Sequence, residues 1–468
     1  MANYVTDGAW RDDIRNGRAR FVYWRETGWD LRSTTYGKRR DRPGPDRTVT
    51  VPTTLISKIP SQQWLRNPST LAVMQALTRG GAEVRFVGGC VRDALLGRQG
   101  VDNIDIATST APNQVITLLE DAGLKAIPTG LQHGTVTAVA ANETFEITTL
   151  RRDINTDGRH ATVAFTTDWS TDANRRDFTI NAMYCDLDGT LYDPLGGADD
   201  LRSGKIRFVG NANRRIEEDV LRILRFFRFY AHFGKDRPDA EALAACGAAV
   251  EKLDTLSGHR IRVELLKWLD APDPIQALKY ADDCGVLAST LKFFPNETAI
   301  VRVQNLVSVE TKTGRADPIR RLAVLASDSK QRTALTNHLK LSNEVQRRLE
   351  GMFTSSIKVT PALSDAEAYG ALYRLGPERF VDMALMAWAR VSSEDNGDWQ
   401  KLLDLVDNWQ RPQLPVSGED ILALGVPAGP LIGKVLNEAE EWWIAGNFEA
   451  GHKKTLAQVR TILADHKQ

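Results

Sequence analysis

Cysteine is scarce. Cys90, Cys185, Cys246 and Cys284 are the only four in 468 residues, and they lie too far apart for a metal-binding or redox spacing. This excludes a disulfide-stapled scaffold and favours a reduced, cytoplasmic chain. Net charge is missing as well. The 60 Lys and Arg balance the 60 Asp and Glu, so no global field draws polyanions, and any nucleic-acid surface has to be a local patch. No long uncharged apolar run occurs, and the N-terminus has acids where a signal peptide needs an apolar stretch. The sequence therefore argues against a membrane span and against secretion. Short-period repeats and low-complexity tracts are absent too.

What is present is length enough for more than one compact unit. Residues 1–50 stand apart, with eleven Lys/Arg against seven Asp/Glu and an ending "GKRRDRPGPDR" that reads as a linker. They suit a basic arm touching nucleic acid and a loosely ordered extension equally well. From about 52 to 200 the texture is mixed α/β. "LAVMQALTRGG" and "PNQVITLLEDAG" read as helices stopped by Gly. "EVRFVGG", "DNIDIAT", "TVTAVAA", "ETFEITTLR" and "ATVAFTT" read as strands. From about 211 onward the pattern is helical, with breaks at "DAPDP" and "NWQRPQLPVSGED". In the second break, Ser417 and Asp420 form a capping pair.

Four stretches carry chemistry. In "VGGCVRDALLG" a strand runs into Gly88-Gly89 and a helix follows. The glycines let backbone N–H groups approach a ligand, the helix start favours an anion, and Arg92 adds a charge, so phosphate is the natural guest. In "DNIDIAT", read as a strand, residues 103 and 105 point to the same face, because strand side chains alternate. Two carboxylates so placed would hold two Mg²⁺ ions. Asp105 suits this role, whereas Asn103 offers only a neutral amide oxygen. Asp102 points to the other face unless a bulge turns it.

In "DANRRDFTINAM", Arg175 and Arg176 suit a phosphate or a base edge, and Asp177 suits a cap. In "IEEDVLRILRFFRFYAHFG", the spacing predicts one largely buried helix with Glu218–Arg222 and Asp219–Arg222 pairs, the row continuing at Arg225 and Arg228. Such spacing commonly means intrahelical ion pairs. It also suits base reading: a carboxylate accepts from an exocyclic amino group while a guanidinium donates to a ring nitrogen. That pattern admits cytosine and adenine and rejects uracil and guanine.

Taken in order, these stretches resemble the class II tRNA nucleotidyltransferases, the CCA-adding enzymes, within the wider nucleotidyltransferase and bacterial poly(A) polymerase group. "HGTVTAV", "FEITTLR", "DGRHATVAF", "DGTLYDPLGGADDL", "EEDVLRILRF" and the neck-like "LSGHRIRVELLK" extend the match. "ADPIRRLAVL" and "VSGEDILALGVPAGPLIGKVL" look like the body and tail of alphaproteobacterial-type members. The resemblance covers roughly 52–468. It implies an N-terminal extension at 1–50, a polymerase-β-like α/β head with a five-stranded sheet at 51–200, an all-α neck at 201–270, a helical body at 271–408 and a tail at 409–468. It also implies addition of C, C and A to the 3′ end of tRNA from CTP and ATP, with release of pyrophosphate and a two-ion Mg²⁺ site.

On that resemblance Gly88, Gly89 and Arg92 would meet the triphosphate, and positions 103 and 105 the metals. Arg176 and Asp177 would meet ribose and phosphate. Asp219 and Arg222 would act as a protein template, with Glu218 orienting the arginine and Arg225 nearby. The stretch 152–160 would be a mobile loop, and the tRNA acceptor stem the partner, with the oligomeric state left open. Two residues depart from the family pattern: Asn103 stands where it has Asp, and His259 where it has Glu. The rivals are a poly(A) polymerase, an enzyme adding only C or only A, and a catalytically inactive RNA-binding homologue in which Asn103 marks a retired site. The nine Lys/Arg of 311–350, against four Asp/Glu, suit phosphate contacts or a solvated helix face.

Overall fold

The computed structural model describes residues 58–466 apart from 102, 157–160, 297, 327 and 392–395. Asp102, the segment 1–50 and the tip of the 152–160 stretch thus lie outside the described residues. Among the described residues nine strands form: β1 (Val84–Val87), β2 (Ile104–Thr108), β3 (Lys125–Gly130), β4 (Thr135–Ala140), β5 (Glu143–Thr149), β6 (Arg151–Thr156), β7 (Ala161–Phe165), β8 (Tyr184–Cys185) and β9 (Leu191–Tyr192). Seven of them make one sheet in the order β3-β4-β5-β2-β1-β8-β9, and β6 and β7 pair separately. The head is thus α/β as expected, but its sheet has seven strands where five were expected. The two-residue pair β8 and β9 sits at one edge, too short to leave a period in the sequence. On the far edge β3, "KAIPTG", has little apolar alternation.

The sheet is mostly antiparallel, with β2 and β5 parallel at its centre. Side chains alternate across it. Phe86, Ile106, Val136, Ala138, Phe145 and Ile147 fill one large core with Val73, Met74, Leu77, Val115 and Leu119 of helices α1 (Pro68–Thr78) and α3 (Pro112–Asp121). Val87, Ala107, Leu150 and Tyr184 make a smaller second core. Trp169 and Ala173 of α4 (Trp169–Asn174) cover it. Asp105 lies between Ile104 and Ile106, so it shares its face with Ala107, away from α1 and α3. Helix α2 (Gly89–Leu95) connects β1 to the loop before β2.

After α5 (Gly197–Ser203) the chain turns helical, as expected. The single helix anticipated at 216–234 is two: α6 (Ala212–Glu218) and α7 (Arg222–Phe233). Asp219, at φ −154° and ψ 108°, breaks them. No Pro or Gly marks the break. Instead Asp219 Oδ1 accepts the Leu221 N–H at 3.1 Å, and its carbonyl accepts the Arg222 N–H at 3.0 Å. Such a local turn competes with helix continuation.

Next come α8 (Ala240–Ala248) and α9 (Gly258–Leu269). Phe227 of α7 stacks on Trp268 of α9 at 5.4 Å. Phe178 of the head packs on Phe229 at 5.3 Å and on Phe208 at 4.7 Å. This aromatic wedge fixes the neck against the sheet.

In the helical body, Arg320 bonds Glu310 at 2.7 Å and Asp382 at 3.0 Å, and Arg321 bonds Glu310 at 2.6 Å. Arg348 joins Asp382 and Asp317, each at 2.8 Å. Three of the nine cations of the basic run at 311–350, Arg320, Arg321 and Arg332, are therefore buried and do not belong to a phosphate-binding face. Farther on, the helices Gly418–Ala423, Pro430–Ala445 and His452–Asp465 enclose an apolar cluster of their own. The Asp420 carboxylate accepts the Ser417 N–H at 2.8 Å, as the capping spacing required. Among the described residues no helix is long and apolar enough to cross a membrane.

Candidate active site in the head–neck cleft

Between the sheet and the neck lies a cleft of about 530 Å³. The head lines it with Gly88, Gly89, Arg92, Asp105, Arg175, Arg176 and Asp177, and the helices after it with Asp219, Arg222, Arg225 and Arg260. Asp105, Asp219 and Arg222 therefore face one space, although more than a hundred residues separate the first from the others.

The glycine cradle is required by geometry. Gly88 has φ +76° and ψ −121°, a conformation that L side chains rarely adopt. A Cβ there would stand 3.8 Å from Arg176 Nη1, and a Cβ on Gly89 would stand 3.8 Å from Arg92 Nη2. The backbone is thus flanked by two guanidiniums. Helix α2 has only seven residues, so these arginines supply most of the local positive potential.

Each arginine is held by an acid or amide. Arg92 donates Nη1 to Asn181 at 2.7 Å and Nε to Asp93 at 3.1 Å, and its guanidinium lies over Phe233 at 4.4 Å. Arg175 and Arg176 both bond the buried Asp172, through Nε at 2.8 Å and Nη2 at 3.0 Å respectively, and Tyr184 donates its hydroxyl to the same carboxylate at 2.7 Å. Burial alone would raise the Asp172 pKa; the Arg176 and Arg175 charges outweigh it and hold the carboxyl down to about 2. Asp172 was overlooked in the sequence, yet its i,i+3 and i,i+4 spacing to the arginine pair was readable.

Asp177 and Arg225, both expected at the nucleotide, pair with each other. Arg225 Nε reaches Asp177 Oδ2 at 2.7 Å, and Asp177 Oδ1 takes Phe178 N–H at 2.9 Å and Asn181 Nδ2 at 3.1 Å. Against the effect of burial, Arg225 and Asn181 hold Asp177 down to about 2. Asp177 meets the cleft as part of a pinned pair.

The expected Asp219–Arg222 pair does not form. Arg222 Nη1 donates to Glu218 at 2.6 Å and to the Arg215 carbonyl at 2.8 Å, as the i,i+4 spacing of Glu218 implied. Asp219 is bonded by Arg260 of α9 instead, at 2.9 Å. Arg215, buried, links the two sides: it donates to Glu218 at 2.5 Å, to the Arg176 carbonyl at 2.8 Å and to the Asn174 carbonyl. Arg228 pairs with Glu264 at 2.8 Å.

At the carboxylate strand, β2 starts at Ile104, two residues later than the expected start at 102, so position 103 lies outside it. Asn103 is exposed just before it and is not among the residues lining the cleft. Directly across from Asp105 in the parallel register stands Glu146 of β5, a residue the sequence offered inside "FEITT" without marking it. Burial first, then repulsion from Glu146, pushes Asp105 up to about 6, opposed by Arg176. An acid whose charge is disfavoured by burial and by a neighbouring carboxylate suits a divalent cation. Among the described residues no three His, Cys, Asp or Glu converge. The donors on hand are Asp105 and Glu146, with the amide of Asn103 adjacent in sequence. His259 is exposed on α9 and makes no bond in the cleft.

Comparison with known proteins gives one consistent set of matches. Residues 84–207 match the model of the poly A polymerase head domain. The mitochondrial CCA tRNA nucleotidyltransferase 1 of Mus musculus is 36% identical over 410 residues, covering 86% of this chain and 92% of that protein. Its Homo sapiens counterpart is 35% identical over the same coverage. The solved structure of the Bacillus stearothermophilus CCA-adding enzyme in complex with CTP superposes with a TM-score of 0.71 at 26% identity, covering 87% of this chain and 99% of that one.

Proposed function

We infer function from one premise: the chain belongs to the family of CCA-adding tRNA nucleotidyltransferases. It is a nucleotidyltransferase that adds C, C and A to the 3′ end of tRNA from CTP and ATP. The residue roles that follow are our reading. The observation that carries them is the shared cleft, in which a glycine–arginine cradle, the acid at 105 and the Asp219/Arg222 reader face one another. The triphosphate lies against Gly88, Gly89, Arg92 and Arg176. The base meets Asp219 and Arg222, whose hydrogen-bonding polarity accepts an amino group beside a ring acceptor.

The acids that would hold Mg²⁺ are Asp105 and, across the parallel register, Glu146, while Asn103, exposed and off the cleft wall, would add at most a neutral oxygen. A bound cation supplies charge neutralisation at the phosphates and a more acidic 3′-hydroxyl. The protein's own part is positioning. The arginines spread the charge that develops on the phosphates, and the cleft aligns the attacking hydroxyl.

The test is to give the chain tRNA lacking its CCA end, with CTP, ATP and Mg²⁺. Three added nucleotides and no more support the reading, and a long A tail replaces it with polyadenylation. Binding of tRNA without incorporation would mark a retired site. Asn103→Asp restores a negative ligand and is expected to raise the rate about tenfold or more. Equal rates for the two proteins would remove residue 103 from the metal site.

A further inference from the structure

The Asp219 carboxylate has a keeper. Arg260, 41 residues farther along the chain, donates from a single nitrogen, Nη2, to both carboxylate oxygens at 3.0 and 2.9 Å. Oδ1 also takes the Leu221 N–H at 3.1 Å. A carboxylate oxygen has about two acceptor sites, so Oδ1 is filled and Oδ2 keeps one open. Arg222 is prepared in the complementary sense. Its Nη1 is consumed by Glu218 and the Arg215 carbonyl, while Nε and Nη2 have no protein acceptor among the described residues.

Arg260 itself stands on a fixed platform. Helix α9 starts at the Ser257 cap, and Gly258 packs against the His338 carbonyl so closely that a Cβ would lie 1.8 Å from its oxygen. The Phe227–Trp268 stack and the Arg228–Glu264 pair hold the rest of the helix to α7.

We propose that Arg260 is a positioning residue for base selection. It turns the Asp219 carboxylate so that a single acceptor faces the incoming base beside the free donors of Arg222. Cytosine and adenine each present an amino donor next to a ring acceptor, matching one acceptor and one donor. Uracil and guanine present a carbonyl and an N–H in those places and meet like against like. Arg260 also prevents a short circuit. Terminal carboxylate torsions are broad, and Arg222 is the nearest alternative cation in sequence. Without Arg260, Asp219 turns toward Arg222 and the two cancel as a reader. The inference rests on the reading of Asp219 and Arg222 as the base-selecting pair.

The test is equilibrium binding of CTP, ATP, UTP and GTP, with Mg²⁺, to the full chain and its variants, which needs no turnover. The native chain is expected to favour CTP over UTP and ATP over GTP. Arg260→Gln is expected to lower both preferences about tenfold, and Arg260→Lys, which keeps a cation, to retain part of them. Arg260→Met preserves the apolar stem and replaces the Gln variant if that one fails to fold. Native preference in Arg260→Gln or Arg260→Met, with the preference lost in Asp219→Ala, overturns the proposal and leaves Arg260 a structural residue. If the native chain and Asp219→Ala bind all four nucleotides alike, the base-reader reading itself has failed, a distinct outcome.

Discussion

At Gly88 the backbone turns through φ +76°, with Arg176 and the Asn181 carbonyl beside it. There is space for a methyl group, so Gly88→Ala isolates the conformational penalty. We expect a loss of about 1–3 kcal/mol in urea unfolding, together with weaker CTP binding. At Asp105 the sign of the pH effect is set by its raised pKa. Below about pH 6 the nucleotide-free carboxyl holds a proton, and protons then compete with Mg²⁺. Metal affinity, followed by titration, is expected to fall about tenfold per pH unit below that point. Glu146→Gln removes the repelling charge and moves the midpoint to lower pH.

The Gly-Gly turn, Asp105, the arginine pair and Glu218–Arg222 were all legible, because each rests on spacing within a short window. Asp177 and Arg225 were legible as important residues, but their mutual pairing joins positions 48 apart and has no local signature. Arg260 and Glu146 were hidden for the same reason. Their partners come from another helix and another strand.

Among elements, the break between α6 and α7 matters most. Periodicity runs straight through "IEEDVLRILRFF", so the sequence reads as one helix. The turn at Asp219 is chosen by its own side chain and by a tertiary contact to α9. The break lets Asp219 and Arg222 present different edges to the cleft, where one continuous helix would stack them as an ion pair. Glu218→Gln keeps the shape while weakening the charged grip on Arg222. The fold is expected to survive, while CTP affinity drops about tenfold with little change in UTP binding, as calorimetry can check. Strands were legible where alternation was clean, as in β4 and β5. The pair β8 and β9 and the polar β3 were not, because two residues, or a strand with few apolar positions, carry too little pattern.

For the molecule as a whole, the ionic network of the body decides stability more than the surface pairs do. Arg320 and Arg321 lie almost fully buried against Glu310 and Asp382, and Arg321 also caps the Leu269 and Ala271 carbonyls at 2.6 Å. Arg320→Met leaves buried acids short of a partner and is expected to cost about 3–5 kcal/mol in urea unfolding. Arg202→Ala, which removes an exposed pair with Asp199, should cost under about 1 kcal/mol. This network was not legible in the sequence, where its arginines looked like part of a basic surface run.

Acid unfolding follows from Asp172 and Asp177. Both pKa values are held near 2 against an ordinary 3.8, so the unfolded chain binds more protons between those values. Their contribution is fully present above about pH 4 and is lost as pH falls toward 2, roughly 2 kcal/mol for each group. Urea midpoints measured down that range should show the drop, and Asp172→Asn should flatten it.

Arg215 carries a last consequence. One guanidinium grips the main chain at the arginine pair and, by its other branch, the glutamate that aims the reader. Any rocking of the neck that re-aims the reader from one nucleobase to the next must tug on the peptide carrying Arg176. On the residue roles proposed above, choice of letter and hold on the phosphates are geared together, and an engineer who retunes one will find the other has moved.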